Sequence, residues 1–263
     1  MAGRHSWFDL TARDFASLDP ARAIAILPIA ATEQHGPHLS VGTDSIIAGG
    51  LCAEVMRRMP DDLTALFLPV QAIGASGEHI RSPGTLSLSP ETMLRMLGEI
   101  GDSIARAGLR KLVIVNAHGG NSEVMGLAVR DLRIRHGMLA VQCSWMKLGQ
   151  PDGLFSAEDL AFGLHGGDYE TSLMRHFAPS RVRMENAADF VPSGLRMADD
   201  YALLRMTGPV AMGWIAEDAH REGVAGEAHL ASAAKGAKAA AHMAERFIAL
   251  LRDVTAFPLE SLA

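Results

Sequence analysis

The chain has few of the features that mark disulfide-stabilised, membrane-spanning or nucleic-acid-binding proteins. It has two cysteines, Cys52 and Cys143, and both lie in apolar patterns, which predicts buried unreactive thiols. The longest apolar run, residues 23–31, contains Pro28 and is too short to cross a bilayer. The formal net charge is −6 and no basic run occurs, which argues against a nucleic-acid partner.

What is present fits a globular protein. Hydrophobic residues make up 48% of the sequence and charged residues 21%, and 263 residues can bury a large core without disulfides. No repeat, low-complexity tract or linker divides the chain, so we expect a single domain over residues 1–263. Residues 1–7 contain no apolar stretch of signal-peptide length, so we expect a cytoplasmic protein without a membrane partner.

Strand and helix patterns alternate along the chain. Near-continuous apolar runs are typical of strands covered on both faces, and they predict strands at residues 23–30, 64–70, 111–116 and 138–143. Apolar residues at helical spacing predict helices over residues 44–59, 90–107, 121–136, 169–177 and 231–252. Ser89 and Asn121 are expected to be N-caps. The alternation predicts an α/β fold, with a mostly parallel sheet between helices. Residues 178–227 are the least regular and could form a small subdomain, a lid or an oligomer contact.

Three potential metal ligands lie close together directly after the first predicted strand. Glu33 and His35 are two residues apart, so in an extended chain both side chains point the same way. Gly36 and Pro37 then turn the chain, and Asp44 follows at the start of a helix. An aspartate carboxylate can bridge two cations by giving one oxygen to each.

Two later segments carry further ligands. His118 follows the third predicted strand and precedes Gly119 and Gly120, which allow close backbone approach and positive φ. The helix that begins after them would direct its N–H groups toward the same region, where they can hold an oxyanion or a carboxylate. Glu170 begins another helix and His165 precedes it by five residues.

Together these segments predict a metal site that activates water. Ligands collect at the carboxyl ends of strands in open α/β sheets, so the segments are expected to meet there. Two imidazoles and three carboxylates suit two divalent ions of the Zn²⁺ or Mn²⁺ type, and Fe²⁺ would accept the same residues. Two metals polarise a carbonyl and lower the pKa of bound water to roughly 7, so that hydroxide is available. The expected ligands are Glu33, His35, Asp44, His118 and Glu170.

The motifs resemble the creatininase (creatinine amidohydrolase) family over roughly residues 20–250. The resemblance implies a three-layer αβα fold, a binuclear Zn²⁺ or Mn²⁺ site, hydrolysis of a C–N bond in a small amide, and a homo-oligomer, specifically a hexamer. It also implies that Glu33, Asp44 and His118 bind one metal, while His35, Asp44 and a further carboxylate bind the other. The segments that carry it are Glu33-Gln34-His35-Gly36-Pro37-His38 with Asp44, Asn116-Ala117-His118-Gly119-Gly120-Asn121, His165-Gly166-Gly167 with Glu170-Thr171-Ser172, and Glu78-His79 with Pro83-Gly84-Thr85.

The chain departs from creatininase itself at two places. Creatininase has a glutamate at the position of Gly120, so Glu170 is expected to supply the missing ligand. Creatininase also places tryptophans around its substrate, whereas this chain has Phe162 and Leu164 beside His165. Trp145 and Trp214 could reach the site from elsewhere in the sequence. We therefore expect a substrate other than creatinine.

Three residues are expected to act on the substrate. His165 would carry a proton to the leaving nitrogen, because imidazole titrates near neutral pH. The alternative is that His165 orients a metal ligand. Glu78 and His79 directly follow the glycine-rich residues 74–77, in a loop that can cover the site. For this pair the alternatives are a solvated charge pair and an oligomer contact.

Other functions stay open at this point. The same ligands would serve an iron enzyme resembling formamidopyrimidine deformylase, or an enzyme resembling the peptidase that matures the mycofactocin precursor. A sugar- or nucleotide-binding α/β protein would cradle a phosphate on its glycine turns, but Glu33 occurs where that reading requires a glycine fingerprint. A purely structural zinc site usually has a closed, cysteine-rich ligand set, which this chain lacks.

Overall fold

Residues 5–262 are described by a computed structural model of the chain. Residues 1–4 lie outside the described residues. They form most of residues 1–7, the segment in which we found no apolar stretch of signal-peptide length. No helix between residues 5 and 262 is long and apolar enough to cross a membrane. The expected cytoplasmic location stays a prediction.

A four-stranded parallel sheet forms the centre of the fold. Its strands are β1 (Ile24–Ile29), β2 (Ala65–Phe67), β3 (Lys111–Asn116) and β4 (Leu139–Ser144), in the order β2-β1-β3-β4. Every residue of β1 and β3 is buried, which explains their continuous apolar sequences. All four predicted strands are present. The second is shorter than predicted because its regular pairing with β1 ends after the Leu68 N–H donates to the Ile26 carbonyl; the next bond to β1 comes from Gln71 N–H to the Pro28 carbonyl.

Helices cover both faces of this sheet, as expected. In chain order they are α1 (Ala12–Ala16), α2 (Thr43–Arg58), α3 (Pro90–Arg106), α4 (Ser122–His136), α5 (Ala157–Phe162), α6 (Asp168–Phe177), α7 (Ser193–Asp200), α8 (Ala216–Ala219) and α9 (Ala233–Ala256). The five predicted helices correspond to α2, α3, α4, α6 and α9, with ends that differ by a few residues. Ser89 caps α3 as predicted, since its hydroxyl accepts a hydrogen bond from the Thr92 N–H.

Alternate residues of β1 enter two separate apolar cores. Ile24 and Ile26 pack in a core with α2, α6 and α9, whereas Ala25 and Leu27 pack in a core with α3 and α4. Fully burying a side chain the size of leucine contributes roughly 1.5–3 kcal/mol, so each face contributes to holding β1 central. This arrangement fixes the carboxyl ends of β1 and β3, where the first candidate ligands begin. Both cysteines are free thiols, as predicted; Cys52 is buried as expected, whereas Cys143 is only half-buried.

The position of α6 depends on its contact with α9. A Cβ atom at Gly236 would lie 2.6 Å from the Ser172 carbonyl carbon, so only glycine allows this approach. Lys235 forms an ion pair with the buried Asp168 carboxylate, which also accepts a hydrogen bond of 2.9 Å from the Ser172 hydroxyl. These contacts hold the first turn of α6, which carries Glu170.

Residues 178–227 are the least regular part, as expected. They contain α7, α8 and β5 (Asp189–Phe190), and β5 pairs antiparallel with β6 (Gly226–Glu227). The chain returns toward the candidate site at Ala225, which pairs with His165 in an isolated bridge. The role of this segment and the single-domain organisation stay predictions.

Candidate metal centre

The five expected metal ligands converge at the carboxyl ends of β1 and β3. Glu33 and His35 follow β1, Asp44 lies in the first turn of α2, His118 follows β3, and Glu170 lies in the first turn of α6. All except Glu170 are buried, and the Glu170 side chain is 14% exposed.

Asp44 lies between the two imidazoles. Its Oδ1 is 3.1 Å from His35 Nε2, and its Oδ2 is 3.4 Å from His118 Nδ1. Glu33 Oε1 is 3.1 Å from His118 Nδ1, and Glu170 Oε2 is 3.9 Å from His35 Nε2. Each carboxylate oxygen of Asp44 therefore faces a different imidazole. The same nitrogen of each ring also faces a second carboxylate, Glu33 for His118 and Glu170 for His35.

These spacings are compatible with metal coordination. Atoms bound to one tetrahedral Zn²⁺ at about 2.0–2.1 Å lie roughly 3.3–3.4 Å apart. The distances from His118 Nδ1 to Glu33 and Asp44, 3.1 and 3.4 Å, are close to that value. Glu33, His35 and Asp44 form a further group whose ligand atoms lie within 4.8 Å of one another. His35, His165 and Glu170 form another.

Both imidazoles are oriented by backbone carbonyls on their other nitrogen. His35 Nδ1 donates to the Glu33 carbonyl at 3.1 Å, and His118 Nε2 donates to the Ala75 carbonyl at 2.9 Å. A hydrogen bond of this kind fixes the tautomer, so that the nitrogen facing the carboxylates carries the lone pair. Metal-binding histidines usually have such a partner.

Several buried carboxylate oxygens have no hydrogen bond. Among the described residues, no donor bonds to Glu33 Oε1, Glu33 Oε2 or Asp44 Oδ2 with normal geometry. Burying an ionised carboxylate without a partner costs several kcal/mol, so a nearby cation is needed to offset this cost. The residues present therefore fit divalent metal ions.

The pKa values of the clustered side chains also indicate that the site favours positive charge. Burial lowers the pKa of His35, but Asp44, Glu170 and Glu33 outweigh burial and raise it to about 9. Burial also lowers the pKa of His118, yet Glu33 and Asp44 raise it well above its ordinary value. Burial raises the pKa of Glu170 to about 7, although His35 opposes the shift. Without metal, protons take the place of cations, so metal binding must displace them.

Two further imidazoles approach Glu33. His79 Nε2 is 3.5 Å and His165 Nδ1 is 3.7 Å from Glu33 Oε1, and the two rings lie 4.3 Å apart. Burial lowers the pKa of His79, and burial with the neighbouring His35 and His79 holds the pKa of His165 well below its ordinary value. His165 Nε2 donates to the Gln34 carbonyl at 2.7 Å, which leaves Nδ1 as the basic nitrogen.

Gln34 is a residue of this site that the sequence pattern did not single out. Its side-chain N–H groups donate to His79 Nδ1 at 2.9 Å and to the Gly223 carbonyl, while its oxygen accepts from Gly36 N–H. It therefore connects the first ligand segment to the loop that carries His79 and to the segment after α8. The only signal was its position between two ligand candidates, which does not reveal such distant partners.

Two expectations about the segment after β3 are wrong. Asn121 does not cap α4 with its side chain; that side chain accepts from Ala75 N–H at 2.9 Å and donates to the Ala30 carbonyl at 3.1 Å. Nor do Gly119 and Gly120 adopt positive φ. The backbone at Gly120 does approach its neighbours closely, as expected, since a Cβ atom there would lie 2.6 Å from His118 Nε2.

A cavity of about 140 Å³ opens onto the ligand cluster. Its lining includes the candidate ligands Asp44, His118 and Glu170, together with His165 and the apolar side chain of Trp145. The remaining lining residues are Ile47, Asn116, Ala117, Gly119, Ser122, Ser144, Met146, Lys147, Leu164 and Tyr169.

The other residues expected near the substrate lie elsewhere. Phe162 lines a different, smaller pocket, and Trp214 packs in a small cluster around Met206. His79 is buried beside Glu33, and Glu78 lies on the Nε2 side of His118. Neither Glu78 nor His79 lines the cavity, although both contact residues of the metal cluster.

The fold and the cluster define an α/β protein with carboxylates and histidines that could hold metal ions at the carboxyl end of its sheet. The chain belongs to the creatininase family: residues 8–251 match the family model described as creatininase, creatinine amidohydrolase. The family predicted from the motifs is therefore confirmed. The predicted enzyme class, a hydrolase of carbon–nitrogen bonds, is the one for which the family is named.

Individual relatives agree with this assignment. The chain is 33% identical to the mycofactocin precursor peptide peptidase of Mycobacterium ulcerans, over 89% of this chain and 86% of that protein. It is 31% identical to the creatinine amidohydrolase of Pseudomonas putida, over 73% and 76%. The match to the mycofactocin precursor peptide peptidase of Mycolicibacterium smegmatis, at 35% identity, spans 65% of this chain and 64% of that relative.

A solved structure confirms the predicted three-layer α/β architecture. A mutant creatininase described as Zn-Zn type superposes with a TM-score of 0.75 and 25% identity, over 94% of this chain and 97% of that one.

Proposed function

We propose that this chain is a metal-dependent amidohydrolase that cleaves an amide, lactam or formamide C–N bond of a small substrate. Glu33, Asp44 and His118 would hold one divalent ion, and His35, Asp44 and Glu170 a second. The observation that carries the proposal is the position of Asp44, whose two oxygens face different imidazoles at 3.1 and 3.4 Å. A creatininase described as Zn-Zn type supports zinc, and Mn²⁺ accepts the same oxygen and nitrogen ligands.

The cavity determines where a substrate would lie. Bound divalent ions would polarise its carbonyl group and lower the pKa of a bound water to roughly 7. Asp44, His118 and Glu170 line this cavity, so a substrate bound there would have its carbonyl group beside them and would displace water from the site. Excluding water strengthens the electrostatic interactions within the site.

His165 is placed to move a proton. Its Nε2–H is held by the Gln34 carbonyl, and its Nδ1 is a free base on a ring that lines the cavity. The surroundings keep this imidazole neutral, so Nδ1 has a lone pair that can accept a proton from the attacking water and deliver it to the leaving nitrogen, although the lowered pKa makes it a weaker base than a free imidazole. Gln34 and His79 hold the ring in place, since they contact its edge and its face.

The substrate class follows from the cavity wall and the relatives. A cavity of about 140 Å³ with one tryptophan, Trp145, differs from a site surrounded by several tryptophans, which disfavours creatinine itself. Relatives named mycofactocin precursor peptide peptidase favour a second candidate, the amide bond of a short peptide. A nucleotide-binding function is not supported, since the buried carboxylates of Glu33 and Asp44 would repel a phosphate.

Hydrolysis assays test the proposal directly. The protein would be stripped with a chelator, reconstituted with Zn²⁺ or Mn²⁺, and supplied with formamides, lactams, N-acyl amines and short peptides. We expect release of amine from at least one class with the reconstituted protein and none with the stripped protein. Equal turnover by both preparations would overturn the proposal. Activity with Fe²⁺ alone would instead support the iron-dependent deformylase-like alternative. The expected homo-oligomer, a hexamer, stays a prediction that sedimentation can measure.

A further inference from the structure

The two ring nitrogens of His118 have different surroundings. Nδ1 faces Glu33 and Asp44, which are candidate metal ligands. Nε2 lies 2.9 Å from the Ala75 carbonyl and 3.4 Å from Glu78 Oε1. Glu78 Oε1 therefore lies beside the ring nitrogen that does not face Glu33 and Asp44. Among the described residues, His118 is also the only ion-pair partner of the Glu78 carboxylate.

Space for Glu78 exists because residue 120 is glycine. A Cβ atom at Gly120 would lie 2.6 Å from His118 Nε2 and even closer to both Glu78 Oε1 and the Ala75 carbonyl. No other residue type leaves this space open without moving the loop or the ring. The short 3₁₀ turn Gly77–His79 then carries the Glu78 carboxylate into the same space.

We propose that Glu78 is a positioning residue for His118, acting through the Nε2 side of the ring to strengthen metal binding at Nδ1. The inference rests on the proposed function, because it requires His118 to be a metal ligand. A carboxylate beside the N–H of a ligating imidazole fixes the ring orientation and makes the other nitrogen a better donor to the metal. The Ala75 carbonyl and Glu78 together supply that environment.

The surroundings of Glu78 oppose a purely structural role. Its ligand atom lies within 4.8 Å of those of Glu33 and His118, so two carboxylates lie close to each other beside one imidazole. Without a metal, only a proton on His118 offsets the repulsion between the two carboxylates at this half-buried place, so the carboxylate of Glu78 adds little to the stability of the fold. With a divalent ion bound at Glu33, the same arrangement becomes favourable, since both carboxylates then act on a centre of positive charge.

The test compares Glu78→Ala and Glu78→Gln with the parent and with Glu99→Gln, which removes an exposed carboxylate on α3. The dissociation constant for each Zn²⁺ is measured by chelator competition, and thermal unfolding is measured in EDTA. We expect Glu78→Ala to weaken one of the two sites about 10–100-fold, with Glu78→Gln between it and the parent. Glu99→Gln should bind as the parent does. Without metal, neither Glu78 variant should unfold at a lower temperature than the parent.

Three outcomes would overturn the inference. If both Glu78 variants bind Zn²⁺ as tightly as the parent, Glu78 has no effect on His118. If Glu78→Ala unfolds earlier than the parent in EDTA, with a matching loss of affinity at both sites, its role is structural. If Glu78→Ala retains one ion at saturating Zn²⁺ while the parent retains two, Glu78 is itself a ligand. A parent that binds no metal would instead refute the proposed function, and this inference with it.

Discussion

Removing the metals should make the stability of this protein fall as the pH rises through the neutral range. In the metal-free protein, His35 Nε2 is 3.1 Å from Asp44 Oδ1, and the carboxylates around it raise the pKa of His35 from 6.5 to about 9. A shift of this size corresponds to about 3 kcal/mol of preferential proton binding by the folded state. The raised pKa of His118 acts in the same direction.

The sign follows from which state binds the proton more tightly. Below pH 6.5 His35 is protonated in both the folded and the unfolded state, so the full stabilisation is present. Between pH 6.5 and about 9 the unfolded chain loses its proton first, and the stabilisation disappears as the pH approaches the folded-state value. The metal-free protein should therefore lose about 3 kcal/mol of unfolding free energy over this window through His35.

Guanidinium chloride denaturation measures this loss. Unfolding would be followed in EDTA at pH 6.5 and pH 9 for the parent and for His35→Gln, and the parent would be repeated with Zn²⁺. The decrease should be smaller in His35→Gln by about 3 kcal/mol and largely absent in the zinc-loaded parent. Equal decreases in parent and variant would refute the reasoning, because the charge balance around His35 would then contribute nothing to folding.

Three other substitutions separate the roles within the cluster. Glu170→Ala should bind about one divalent ion where the parent binds two, because of the two ligand imidazoles Glu170 approaches His35; elemental analysis measures this. Asp44→Asn should lose both ions in the same assay, because Asp44 faces both imidazoles, and retention of both would exclude a bridging role. His165→Ala should keep its metal content but lose turnover by about 10²–10⁴-fold, the usual contribution of a general acid or base. Normal turnover in that variant would remove His165 from the proton path.

The sequence was sufficient to predict the strands that are buried along their whole length. β1 and β3 are buried on both faces, and this produces the continuous apolar runs at residues 23–30 and 111–116. The ligand segments follow these strands, so their convergence follows from the general behaviour of parallel sheets. The structure also brings Glu170 to His35; the sequence predicted Glu170 as a ligand of the same cluster, and the family resemblance then paired it with His35.

Features that depend on contacts between distant segments could not be predicted. Asn121 has the composition and place of an N-cap, but its side chain bonds to Ala30 and Ala75, which are distant in sequence. The need for glycine at residue 120 arises from Glu78 and Ala75, and no local pattern reveals it. The cavity wall that contains Trp145 likewise depends on how β4 lies beside β3.

The proposal that Asp44 bridges two ions is the central claim, and metal content tests it most directly. Purified protein would be stripped, reconstituted with Zn²⁺ or Mn²⁺, freed of unbound metal and analysed for metal per chain. We expect close to two ions per chain. One ion per chain would contradict a bridging Asp44, and one iron would favour the deformylase-like alternative. No bound metal after reconstitution would contradict the whole account of the site.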